Sequence, residues 1–167
     1  MDLYTYTDVV LQGQSFEPIG NYSEFEEYML KYSNRVHETN ANLFVYQTWG
    51  YDVVKWTSFV DGSLETFTQK ELYDGLQSAY DLVASKANAN VIRSGEAFEL
   101  CLEEYDLPSL YQDMNHQSIY GAYLSACCHY AAITHKSPIG NSYVPEGIDY
   151  LTARTIQQIA DRVSFQY

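Results

Sequence analysis

Residues 8–15 read "DVVLQGQS", and the reading of this stretch decides the fold. A short apolar run stops at Gly13, as a buried strand does. Two later stretches behave alike: "NLFVYQTWG", residues 42–50, and "NVI", residues 90–92. Helical segments separate them. "SEFEEYMLKYSNRVHET", residues 23–39, has Ser23 as N-cap, Glu26 three residues on in a capping-box pattern, and Phe25, Met29, Tyr32 and Val36 at helical spacing. "TQKELYDGLQSAYDLVASKANA", residues 68–89, repeats the pattern with Thr68 and Glu71, and Leu72, Leu76, Ala79, Tyr80 and Val83 on one side. Residues 51–68 predict a long loop with irregular pieces and a turn at Asp61-Gly62.

A third helix is expected from about Glu96, a fourth from Ile119 to Thr134 capped by Ser118, and a last one from Asp149 to Val163. Strand and helix alternate three times, the pattern of a parallel sheet covered on both faces. Functional groups on such a sheet lie at the carboxyl ends of its strands, where "QGQS" and "QTWG" fall.

The chain has 167 residues, which fits a single domain spanning 1–167. Net charge is -13 without a Lys/Arg cluster, which argues against nucleic acid as a partner. Seventeen tyrosines suit half-buried positions, interfaces and carbohydrate-facing pockets, or reflect compositional bias of the genome. Cys101, Cys127 and Cys128 do not make a disulfide framework and read as buried thiols, which favours a reducing compartment. No apolar run approaches the ~20 residues of a membrane helix, and the N-terminus lacks signal-peptide features. These features predict a cytoplasmic protein without membrane association.

Two constellations carry chemistry. Asp113 lies three residues before His116, on a loop ahead of a helix. A histidine moves protons near neutral pH, and a carboxylate on its other nitrogen holds the tautomer. The same spacing also fits an aspartate capping a local turn beside an exposed histidine. The second is "LQGQS", residues 11–15. An amide such as Gln12 just past a strand end can donate to a developing oxyanion, and Gly13 lets a ligand approach the backbone. A plain strand-to-helix turn accounts for the same residues. No metal-ligand spacing stands out, and His129 and His135 read as packed or surface residues. No metal or organic cofactor is expected.

The order of these blocks resembles the later part of SGNH (GDSL-type) hydrolases, and within them an esterase-like bacterial branch. There the third strand ends in a "VVLQ…S" block and the fourth in "TW". The last block is Asp-x-x-His-x-Ser-x-x-Gly-x-Tyr-Leu-x-Ala, matched here by Asp113, His116, Ser118, Gly121, Tyr123, Leu124 and Ala126. The resemblance implies a flavodoxin-like three-layer α/β sandwich and ester hydrolysis through a serine nucleophile. His116 would be the general base, Asp113 its orienting acid and Gln12 an oxyanion donor. Small esters, acetylated carbohydrates among them, would be the substrates.

Members of that family begin with a strand and a Gly-Asp-Ser or Gly-Asn-Ser turn that carries the nucleophile. Met1 falls a few residues before what resembles the third strand, so the nucleophile block and first two strands are expected to lie outside this chain. The strand at 8–12 would then be an apolar edge, covered by a second copy or a partner chain. Within the chain, Ser15 lies at the correct sheet edge, and "GNS" at Gly140–Ser142 imitates the missing motif. Three readings stand: a serine supplied from outside, an inactive binding or structural derivative, and an enzyme using another serine.

Overall fold

A computed structural model describes residues 6–165. In chain order the strands are β1 (Asp8–Leu11), β2 (Asn42–Tyr46), β3 (Trp56–Val60), β4 (Ser63–Phe67) and β5 (Asn90–Ile92). The helices are α1 (Glu17–Gly20), α2 (Tyr22–His37), α3 (Gln69–Ala87), α4 (Ser94–Glu104), α5 (Ile119–Thr134) and α6 (Tyr150–Phe165). β1, β2 and β5 form a parallel sheet in the order β1-β2-β5. Val9 stands opposite Leu43 and Leu11 opposite Val45.

Successive side chains of β2 point to opposite faces, and each face meets a helix layer. Leu43 and Val45 pack with Phe25, Met29 and Val36 of α2 and Leu76, Tyr80 and Val83 of α3. Phe44, with Ile92 of β5, packs with Phe98 of α4, Leu124 and Cys128 of α5 and Ile156 of α6. The result is a three-layer α/β arrangement with a small parallel sheet in the middle, as the alternation of strand and helix predicts.

Local signals account for the helices. Thr68 and Glu71 form the full reciprocal capping box at the start of α3. Ser118 caps α5 by accepting from the backbone N–H groups of Tyr120 and Gly121. The start of α2 differs from the expectation. Asn21, not Ser23, caps it, accepting from the Glu24 N–H while its amide donates to the Glu24 carboxylate at 2.6 Å. Such caps are worth ~1 kcal/mol.

Residues 51–68 are more ordered than a long loop. β3 and β4 make an antiparallel hairpin closed by Asp61-Gly62, both at left-handed φ (+47° and +85°). Two left-handed residues in succession are what a tight hairpin turn demands. The hairpin leans on α1: Gly20 O accepts from the Asp61 N–H, and the Phe16 and Phe67 rings meet edge to face at 5.6 Å.

The flank at β1 is open. β1 pairs with β2 on one side alone among the described residues, and Val10 is 37% exposed. The inward stripe of α2 runs past this strand. Tyr28 and Tyr32 lie beside Phe25 and Met29 at helical spacing, yet Tyr32 is 52% exposed. They overhang a groove of about 270 Å³ whose floor includes Leu11 and Phe25. Tyr32 shares the helical spacing of Phe25, Met29 and Val36 but not their burial, and among the described residues no strand lies beneath it.

Candidate functional site

Asp113 and His116 sit on the loop between α4 and α5, just before the α5 cap. Two short contacts pinch this loop closed: the Ser118 N–H donates to Leu110 O and the Gln112 N–H to His116 O. Inside the pinch, Asp113 Oδ1 accepts from the backbone N–H groups of Asn115 (2.9 Å) and His116 (2.8 Å). Its Oδ2 lies 2.8 Å from His116 Nδ1. The aspartate thus caps the turn and at the same time touches the imidazole.

The chemistry of this contact is specific. A carboxylate only accepts, so the Nδ1 facing it carries a proton, and in the neutral ring Nε2 is left as the acceptor. The two backbone donors, then the ring, pull the Asp113 carboxyl down to about 2. It therefore stays ionised throughout the range where a histidine works. The His116 side chain is 67% exposed and that of Asp113 49%. Water screens an ion pair this open, so its worth is orientation rather than stability.

Gln12, at the carboxyl end of β1, is exposed and lines the open groove beside Leu11 and Gly13. Among the described residues no hydrogen bond joins it to Asp113 or His116. Gly13 is not held open for a ligand. A Cβ there would lie 2.6 Å from Phe25 Cε2 and 3.0 Å from Pro18 Cγ, so close packing under α1 and α2 demands the glycine.

The link between the two ends runs through Ser15 and the β2–β3 connection, whose contacts the sequence reading did not anticipate. Ser15 adopts a left-handed φ of +47°, uncommon for a side-chain-bearing residue. Its Oγ lies 2.5 Å from Tyr51 Oη. Tyr51 belongs to the β2–β3 connection, and that connection is bound to the histidine loop three times. The Asp52 N–H donates to Met114 O at 2.8 Å, the Trp49 indole to Asn115 O at 3.0 Å, and the Tyr111 hydroxyl to Gly50 O at 2.7 Å. Gln47, fully buried, accepts from the Glu96 N–H at the start of α4. Only the position of "QTWG" at the sheet's carboxyl edge hinted at these roles.

The remaining candidates fall elsewhere. Ser142 is exposed on a loop whose Gly140 N–H and Asn141 carbonyl are both held by the buried Gln157. His129 lies edge-on to Tyr46 at 4.4 Å and bonds the Ser125 carbonyl through Nδ1, and His135 ends α5 in a left-handed conformation. All three cysteines are buried and free, and burial pushes the Cys101 and Cys127 thiols up to about 11. Among the described residues no cluster of three or more His, Cys, Asp or Glu is placed to hold a metal ion. Nor, among them, is any helix long and apolar enough to cross a membrane.

No family model matches the chain, and no curated protein matches it. Among solved structures it is similar to a DUF4886 family protein from Bacteroides uniformis. The two superpose with a TM-score of 0.78 at 23% identity, over 95% of this chain and 62% of that one. This likeness establishes a shared fold. The chain spans about three-fifths of its neighbour's length.

Proposed function

We propose that this chain is the base-bearing part of an SGNH-type serine ester hydrolase, with the serine supplied from outside residues 1–167. One observation carries the reading: a histidine whose Nδ1 is held by an aspartate ionised at neutral pH, with Nε2 unbonded among the described residues, at the carboxyl edge of a parallel sheet. On this reading the sheet β1-β2-β5 is the third to fifth strands of a flavodoxin-like sandwich. Its first strands would cover the edge of β1 and the groove beneath Tyr28 and Tyr32. A second polypeptide, or an N-terminal part outside residues 1–167, would bring them.

The chemistry is acyl transfer. His116 Nε2 takes the proton of the serine hydroxyl as its oxygen attacks the ester carbonyl. The charge that develops on the carbonyl oxygen draws hydrogen bonds, for which the Gln12 amide lies at the same end of the sheet. Such donors are worth ~3 kcal/mol each. The intermediate collapses, and the departing alcohol leaves with the proton from His116. Water, deprotonated by the same nitrogen, then releases the acid and frees the serine. Asp113 keeps its charge throughout and stabilises the imidazolium. Small esters, carbohydrate O-acetyl groups among them, are the substrates this reading favours.

A second reading has its own support. No hydroxyl of the described residues bonds the His116 imidazole, and both residues of the pair are largely exposed. A binding or structural protein that kept the fold and lost its nucleophile would look the same. Hydrolysis of 4-nitrophenyl acetate separates the two. The isolated chain is expected to be inactive, while the assembly that covers β1 turns the ester over and loses this on His116→Ala. An assembly that is inactive, or indifferent to His116→Ala, favours the binding protein. Turnover by the isolated chain that Ser15→Ala abolishes would place the nucleophile at Ser15.

A further inference from the structure

The Asp113–His116 turn is mostly exposed, yet its contacts hold it in one shape. What holds it from below is the β2–β3 connection. Trp49 is 9% exposed, and its ring stacks on Phe98 of α4 at 4.4 Å and 9°. So placed, the indole has one direction in which to donate, and Asn115 O receives it at 3.0 Å. Asn115 lies between the two residues of the pair, and its own N–H is one of the donors to Asp113. The Tyr111 hydroxyl and the Asp52 N–H add bonds on either side. The other end of the connection reaches the β1–α1 turn, where Tyr51 meets Ser15 and stands edge-on to Trp56 at 5.1 Å and 89°.

A left-handed conformation is costly for serine and persists only where its surroundings over-determine it. Tyr51 supplies that constraint. One short segment therefore sets the positions of both turns at the carboxyl edge of the sheet. We infer that residues 49–52 are the positioning element of the site, with Trp49 fixing the Asp113–His116 turn and Tyr51 fixing the Gln12–Ser15 turn. This rests on the hydrolase reading for its purpose, and on geometry alone for its existence.

The substitutions that test it keep an aromatic side chain and remove one donor each: Tyr51→Phe and Tyr111→Phe, which keep the ring itself, and Trp49→Phe, which also trims the stack on Phe98. The readout is NMR of the isolated chain, which needs no activity. In Trp49→Phe the amide resonances of Asn115 and His116 shift, and the Asp113 carboxyl titrates higher than about 2, toward its ordinary 3.8, because its backbone donors loosen. Tyr51→Phe shifts the amides of residues 13–15 and leaves the Asp113 titration unchanged. If Trp49→Phe does not fold, Tyr111→Phe, the milder change, carries the same expectation for Asp113. An Asp113 titration and turn amides that stay put in both variants overturn the inference. In an active assembly, Trp49→Phe lowers kcat about 10-fold with little change in KM. If the assembly proves inactive while the NMR shifts occur, the hydrolase reading fails and the positioning role stands.

Discussion

Two flanks of the sheet are built to different standards: the face under α4, α5 and α6, and the edge at β1. On that face the helices close over Phe44 and Ile92, and Phe98, Leu124 and Ile156 are almost wholly buried. On the flank of β1, the strand has a bare edge, Val10 reaches solvent, and α2 extends Tyr28 and Tyr32 over a groove. The histidine turn belongs to the closed flank and Gln12 to the open one. The difference teaches that the Asp113–His116 contact rests on a fully packed core, whereas Gln12 lines a groove that is open among the described residues.

Substitutions sharpen this contrast. Phe98→Ala, which removes a core ring under Trp49, is expected to cost ~4 kcal/mol in urea denaturation. Gly95→Ala comes next, at ~3 kcal/mol. Its Cβ would fall 2.1 Å from Thr48 O, a backbone atom that cannot swing aside. In the exposed turn of the β3–β4 hairpin, Gly62→Ala strains a left-handed residue and costs ~1 kcal/mol. Tyr32→Ala, on a half-exposed side chain, changes stability by no more than ~0.5 kcal/mol in the isolated chain. A Tyr32→Ala cost rivalling that of Phe98→Ala would mean the groove is already filled and the contrast is false.

Two gentler probes follow. Alternate N–H groups of a parallel strand point away from its neighbour, so part of Val9–Leu11 should exchange quickly in the isolated chain and slowly in an assembly that covers β1. Slow exchange along all of β1 in a monodisperse monomer would break the account of the open edge. Acid titration probes the closed flank. The Asp113 carboxyl is depressed to about 2 in the folded chain from 3.8, so its contribution is present above about pH 4. It is lost as pH falls through 2. The stability gap between the native chain and Asp113→Asn should therefore close between pH 4 and 2.

Much of this was legible in the residues. The capping box at Thr68–Glu71, the Ser118 cap and the apolar stripe of α3 are local signals with local causes, and each appears as read. So does the parallel sheet, because short apolar runs between amphipathic helices leave few other solutions. The hairpin at 56–67 was hidden by its exposure. β3 alternates half-buried with exposed residues but buries none fully, and β4 is exposed except at its last residue, so the apolar pattern is weak and Asp61-Gly62 showed only as a turn. Asn21 was displaced by Ser23 as the expected cap because α1 just before it, a single turn, leaves no periodic signal. At the site, the Asp113–His116 spacing brought the pair together. The bonds of Trp49 to Asn115 and of Tyr111 to Gly50 span 66 and 61 positions of chain, and that of Tyr51 to Ser15 spans 36, and no local pattern records them.

Fluorophosphonate labelling of the assembly that covers β1, followed by peptide mass mapping, tests the central claim most directly. The account predicts one labelled serine, on a polypeptide outside residues 1–167, with labelling lost on His116→Ala. A label on Ser15 or Ser142 of this chain, or labelling that persists without His116, would contradict it.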